Sequence, residues 1–310
     1  DAWSRKTGGY ISKDDLAEYK PQWVEPIHTN YRGYDVWEIP PNGHGLVVLM
    51  AMNIAKGFDF AERDTVKSFH RQIEAMKLAF TDGRQYIADP RFMKTDVSYW
   101  LSDAYADMRR SLIGEEAVLP TPTDANNGGT VYLCAADEEG NMVSYIQSNF
   151  DGFGSGIVIP GRGIALNDRG SNFSMDRSSD NCVGPRKKSY HTIIPGFLTK
   201  DGQPVGPFGV MGGFMQPQGQ MQVLMNTIDY HLNPQAALDA PRWQWVGGKR
   251  IEVEPAVPAE IVEGLRAKGH DVVVNPNSIA YGRGQIIWRN DEGVLMGATE
   301  PRADGVVAAW

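Results

Sequence analysis

The sequence has two cysteines in 310 residues, Cys134 and Cys182, with no C-x-x-C spacing and no histidine cluster beside either. That excludes a disulfide scaffold and a structural zinc site, and two free, mostly buried thiols are expected, a single bridge between them being the alternative. No stretch reaches the ~18 consecutive apolar residues of a membrane span. The nearest, residues 45–55, is short enough for a core helix. Positive charge is scarce: 30 Lys and Arg stand against 38 Asp and Glu, for a net charge of −8. A nucleic-acid partner is therefore not expected, because such proteins neutralise phosphates with basic surface. A G-x-S-x-G elbow, a Walker A loop and an H-E-x-x-H helix are all missing. So is an initiator Met: the chain opens Asp1-Ala2-Trp3, with no basic or apolar leader. It is expected to begin inside something longer, which leaves the compartment open: a soluble protein, cytoplasmic, periplasmic or secreted.

What is present is an ordinary globular composition, 42% apolar and 22% charged. The first 115 residues read mainly as helix. Ser12 caps a short helix ending near Tyr19, and a strand is expected over residues 31–39, closed by Pro40-Pro41. A helix buried on all sides follows over residues 45–56. Val66, Phe69, Ile73, Met76 and Phe80 recur at spacings of three and four, predicting an amphipathic helix that Asp89-Pro90 stops. One more helix is expected over residues 99–112. Residues 119–129 are then rich in turn formers and read as an exposed linker. Beyond them lies a hairpin, residues 130–136 and 142–147, with an acidic tip. Further strands are expected at residues 193–198, 207–210, 251–253, 271–274, 284–288 and 294–297, separated by helices at 218–230, 234–238 and 258–268. Helices and hairpins in this order suggest antiparallel sheet packed on helices.

Few residues stand out chemically. His28, His44, His70, His191, His231 and His270 are scattered singly, each with an ordinary structural explanation, and the glycine clusters at 152–156 and 161–163 lack nucleotide-loop spacing. The specific feature is a juncture. The linker ends in Gly128-Gly129 and runs straight into Thr130, a hydroxyl residue opening a strand. If the Gly129–Thr130 bond were cut, Thr130 would offer its hydroxyl as nucleophile and its own α-amine, titrating near ~8, as general base. Gly212-Gly213, between a strand and a helix, could donate backbone N–H groups to an oxyanion. No metal or organic cofactor is required.

The residues around this juncture resemble the γ-glutamyltransferase (γ-glutamyltranspeptidase) family of N-terminal-nucleophile hydrolases. The resemblance runs through residues 8–19, Tyr31 to Tyr34, Pro40-Pro41, Thr130 with Asp137 and Gly140-Asn141, and residues 153–156. It continues through Gly212-Gly213, residues 226–230, Ala240-Pro241-Arg242 and residues 301–305. It implies an α+β fold of four αββα layers, lacking an upstream part of the family's large subunit. Residues 1–129 would be the end of that subunit, and 130–310 the catalytic subunit, the two remaining associated after self-cleavage. The resemblance makes Thr130 the nucleophile, Ser148 a hydroxyl supporting it in place of a family threonine, and Gly212 and Gly213 the oxyanion hole.

The same resemblance exposes departures. The family's substrate-binding asparagine corresponds to Phe150, its Glu and Asp that grip the γ-glutamyl α-amine to Arg169 and Asn172, and its paired serines to His191 and Thr192. An arginine cannot hold an ammonium and suits a carboxylate; the alternative is a surface arginine beside the Asn167-Asp168 turn. The implied function is hydrolysis, or acyl transfer to an amine, of a small amide through an acyl-threonine ester, with γ-glutamyl amides the default. An acid-bearing amide without the α-amine is the alternative, as in the family's glutaryl-cephalosporin acylases and oxamate amidohydrolases. A non-catalytic or unprocessed fragment is the reading from another class. The arginine that binds the substrate carboxylate in the family lies in the missing upstream part, so the 310 residues alone are expected to show no turnover.

Overall fold

The computed structural model describes residues 1–120 and 129–310. Its helices are α1 Ala2–Lys6, α2 Lys13–Glu18, α3 Gly45–Ala55, α4 Val66–Tyr86, α5 Val97–Trp100, α6 Asp103–Arg110, α7 Met215–Ile228, α8 Pro234–Asp239 and α9 Ala259–Ala267. The strands are β1 Ile27–Tyr31, β2 Tyr34–Glu38, β3 Gly129–Ala136, β4 Met142–Phe150, β5 Val158–Ile159, β6 Ile164–Ala165, β7 Gly196–Lys200, β8 Gln203–Met211, β9 Trp243–Gly247, β10 Arg250–Val253, β11 Asp271–Val274, β12 Arg283–Arg289 and β13 Leu295–Thr299.

The centre is an antiparallel sheet ordered β1-β2-β7-β8-β12-β13. α3, apolar nearly all round and buried from end to end, packs against β1 and β2, with α4 outside it and α7 against β8. The β3–β4 hairpin crosses the other face of the sheet. Neighbouring strand residues point to opposite faces, and Val210 touches Gly219 of α7 while Gly209 lies under the Tyr132 ring. A Cβ at Gly209 would fall 2.5 Å from that ring, so glycine there allows the close crossing. The order helix, sheet, sheet is thus the expected α+β layering. The hairpin's outer side chains Val131, Leu133, Val143 and Tyr145 are exposed, where the four-layer arrangement has its second helical layer.

Local signals explain most elements. Ser12 and Asp15 form a reciprocal cap on α2, Thr65 caps α4, and Asn233 caps α8 with Pro234 in its first turn. Four expectations need correction. Residues 31–39 are not one strand but the end of a hairpin, because Arg32 and Gly33 both take positive φ in a two-residue turn after β1. The helix over 99–112 is two pieces, since Ser102 restarts it by capping Tyr105 N–H. α7 starts at Met215, three residues early, and β11 pairs in parallel with β10. The two cysteines are free thiols. The linker over residues 119–129 falls mainly on 121–128, outside the described residues.

Candidate active site

Thr130 is the second residue of β3, at the open end of the hairpin, and is 5% exposed. Gly129 opposes Phe150 and Val131 opposes Gln147, so two residues of β4, Ser148 and Asn149, face the single Thr130. This is a β-bulge, a device that re-aims side chains at the end of a ladder. Here the Thr130 hydroxyl donates to Ser148 Oγ at 3.1 Å, and Phe150 N–H donates to the same oxygen at 2.8 Å. Closing the bulge puts Phe150 at φ +83°, a left-handed conformation that costs a bulky residue on the order of 1–3 kcal/mol.

From Phe150 the contacts run on into the second group of residues. Asp168 N–H donates to Asn149 O at 3.2 Å, tying the end of β4 to the turn that leads into the short 3₁₀ helix Arg169–Asn172. Arg169 is not a surface arginine; it is buried, with its guanidinium 5.4 Å from the Phe150 ring centre. Its Nη1 donates to Thr192 Oγ1 at 3.0 Å, whereas Nη2 is buried with no hydrogen-bond partner. Burial lowers its pKa to about 10, partly offset by Asp168. No carboxylate ion-pairs with it among the described residues. Asn172 Nδ2 is likewise buried without a partner, while its carbonyl accepts from Asn181 Nδ2 at 2.6 Å.

His191 precedes Thr192 and is tied by backbone bonds to residues 42–44. Burial, then the Arg169 and Lys188 charges, push its pKa down to about 3, so it is a neutral imidazole at physiological pH. Ile193 N–H donates to its Nδ1 at 3.4 Å, which leaves the proton on Nε2. Thr130, Ser148, Phe150, Arg169 and Thr192 therefore form one chain of contacts, with His191 and Asn172 alongside.

Gly212 and Gly213 follow β8 at φ +138° and +57°, and α7 begins two residues later. A Cβ on Gly212 would meet the Gly282 backbone at 3.0 Å, and its φ alone favours glycine. Strand β3, which carries Thr130, crosses β8 at Gly209, just upstream of this turn. A helix N-terminus with free N–H groups suits a developing negative charge. Two surface clefts, one around Phe69, Gln72 and Trp243 and one around Tyr86, Trp100 and Arg109, include none of these residues.

Sequence reading missed one cluster. His70 and His270, 200 positions apart, are joined at 2.8 Å, with Glu74 beside them. Both helical residues, His70 and Glu74, lie one turn apart on α4, but only the fold brings His270 to them. The set does not suit a metal ion, because Lys77 Nζ already sits 2.7 Å from Glu74 Oε1 and the two imidazoles already bond each other.

Comparison with known proteins agrees with this fold. The family model for gamma-glutamyltranspeptidase matches residues 2–310. Among solved structures, the cephalosporin acylase from Bacillus halodurans superposes with a TM-score of 0.96 at 61% identity, covering 100% of this chain and 57% of that one. The glutathione hydrolase-like YwrD proenzyme of Bacillus subtilis (strain 168) is 34% identical over 97% of this chain and 59% of its own length. The acylase ACY 1 proenzyme of Pseudomonas sp. (strain SE83) is 34% identical over 97% of this chain and 55% of its own. The chain thus spans little more than half the length of the curated relatives it matches.

Proposed function

Because this chain belongs to the gamma-glutamyltranspeptidase family, we propose that it carries the nucleophile of an autoprocessing N-terminal-threonine amidohydrolase. The observation that carries this reading is the buried Thr130 hydroxyl, held by Ser148 immediately after Gly129. Residues 1–129 and 130–310 would be the two associated products of self-cleavage. The Thr130 Oγ attacks the amide carbonyl carbon and its proton passes to the freed α-amine of the same residue. The negative charge on the carbonyl oxygen is held by N–H groups at Gly212 and Gly213. The C–N bond then breaks, the departing amine takes the proton, and an acyl-threonine ester remains for water or an acceptor amine to attack.

For the acyl group, γ-glutamyl amides are the family's ordinary reading. The buried Arg169, with a free Nη2 and no carboxylate, supports the second: an acyl chain ending in an acid and lacking the α-amine. That is compatible with the acylase names among the relatives. Denaturing gels test the nucleophile. The full-length protein, with its upstream segment, should yield a fragment beginning at Thr130, and its Thr130→Ala variant should stay one chain. If both stay whole, the assignment falls.

A further inference from the structure

Glu38 ends β2 in the core and is 1% exposed. α3 passes so close that a Cβ on Gly45 would lie 2.9 Å from Glu38 Oε2. Neither carboxyl oxygen has a hydrogen-bond partner of ordinary length, and the polar side chain set against it is Gln220 of α7. The Tyr132 phenol of β3, bonded to Ser144 Oγ at 2.9 Å, is itself kept neutral by burial. No cation pairs with Glu38 among the described residues.

Gln220 belongs to a run of four buried glutamines, at positions 216, 218, 220 and 222, that α7 uses as clamps. Gln218 takes both the N–H and the carbonyl of Trp245, at 2.6 and 3.2 Å. Gln222 does the same to Trp243, at 3.1 and 2.9 Å. On the opposite side Gln216 and Gln220 share Ile194: Gln216 Oε1 accepts its N–H at 3.3 Å, and Gln220 Nε2 donates to its carbonyl at 2.7 Å. This leaves Gln220 Oε1 as a buried acceptor with no donor, beside a carboxyl with two more. Both Glu38 oxygens and Gln220 Oε1 are thus buried acceptors without a hydrogen-bond partner among the described residues. The Gln220 amide, already donating to Ile194, is the group that reaches toward the carboxyl. An ionised carboxylate buried there is strongly unfavourable. A proton on Glu38 supplies the missing donor.

We propose that Glu38 is a positioning residue, held as a neutral carboxylic acid whose hydroxyl donates to Gln220 and fixes the strap between α7 and Ile194. α7 begins just after Gly212-Gly213, and Ile194 lies two residues beyond Thr192. The strap therefore joins the oxyanion donors to the Arg169 pocket in one rigid unit, a role that rests on the function proposed above. Burial raises the carboxyl's pKa well above 4.5. A carboxyl raised in the fold stabilises it at low pH, and that contribution is lost as pH rises through the folded-state value.

Infrared spectroscopy of the whole protein at neutral pH tests the protonation directly. A protonated-carboxyl stretch should be present and should vanish in Glu38→Gln, whose amide keeps a donor toward Gln220. In thermal melts the wild type should lose stability toward alkaline pH more steeply than Glu38→Gln. Neither readout needs turnover, so both survive a failure of the Thr130 assignment. In the processed full-length enzyme acting on a glutaryl anilide, Glu38→Leu should lower kcat about tenfold with KM little changed, as an orphaned buried acceptor would require, and Glu38→Gln should restore it. Absence of the band, or a stretch unaffected by Glu38→Gln, overturns the neutral acid. Equal losses of kcat in the Leu and Gln variants overturn the positioning role.

Discussion

Arg169 and Arg242 are both buried arginines, and the difference between their surroundings separates architecture from recognition. Arg242 Nη2 lies 2.6 Å from Glu300 Oε2, and its Nη1 donates to the carbonyls of Tyr281 and Gly282 at 2.9 and 3.1 Å. Its own N–H donates to Glu254, which in turn pairs with Arg302. Charge and hydrogen bonds are nearly complete within the protein. Arg169 has one hydroxyl, one aromatic face and an unused Nη2. Desolvating a guanidinium without a counter-ion costs several kcal/mol in general. Under the function proposed above, that cost would be offset by an anion arriving from outside.

The largest effect should come from breaking the complete site. Arg242→Met leaves two carbonyls without donors and Glu300 one cation short, for a loss of about 3–5 kcal/mol. For a chain of this size that corresponds to a fall in Tm on the order of 10 °C. Arg169→Met strands no carboxylate and removes a desolvated charge, so its melt should lie within about 1 kcal/mol of wild type. Thermal denaturation of the two variants side by side decides the matter. Equal losses would make Arg169 another structural arginine and end its claim as a binding residue.

These two arginines also mark how far the sequence was legible. Arg242 and Arg302 lie in two of the stretches through which the family resemblance runs, and the fold brings them together: they meet through Glu300 and Glu254. Arg169 was placed by resemblance alone, with nothing in its neighbours to say that it is buried. Glu38 carried a readable signal, since it shares the β2 core face with Val36 at a spacing of two. What that spacing could not give was Gln220, which arrives from 182 positions away. The pairing of His70 with His270 was closed to sequence for the same reason. Strand β1 was missed because Arg32-Gly33 does not read as a hairpin turn until its φ values are known.

A smaller effect should appear in specificity. An arginine facing the substrate's α-ammonium repels it by on the order of 1–4 kcal/mol at ~4 Å, depending on screening. The processed full-length enzyme, upstream segment included, is therefore expected to hydrolyse a glutaryl anilide at least as well as the γ-glutamyl anilide. Arg169→Glu should shift the ratio of kcat/KM values back toward γ-glutamyl by about tenfold or more. A strong wild-type preference for γ-glutamyl anilide, untouched by the substitution, would put Arg169 outside the pocket and restore the ordinary family substrate.

The smallest effect sharpens the comparison at the one acceptor that the Arg169 guanidinium has among the described residues. Thr192 is fully buried, and its Oγ1 accepts from Arg169 Nη1 at 3.0 Å. Thr192→Val keeps the shape and removes the acceptor, which should cost about 1.5–3 kcal/mol, the usual range for a hydrogen bond to a charged group. Thr192→Ser keeps the hydroxyl and loses one methyl, for about 1 kcal/mol or less. The informative quantity is KM. With its anchor gone, the guanidinium is no longer held toward the acyl chain, so Thr192→Val should raise KM for the glutaryl anilide several-fold while Thr192→Ser raises it little. Arg242 offers no such separation, because its acceptors belong to the fold and their loss shows in the melt. If Thr192→Val left both Tm and KM at wild-type values, the hydroxyl would not be what orients Arg169, and the contrast between the two arginines would rest on burial alone.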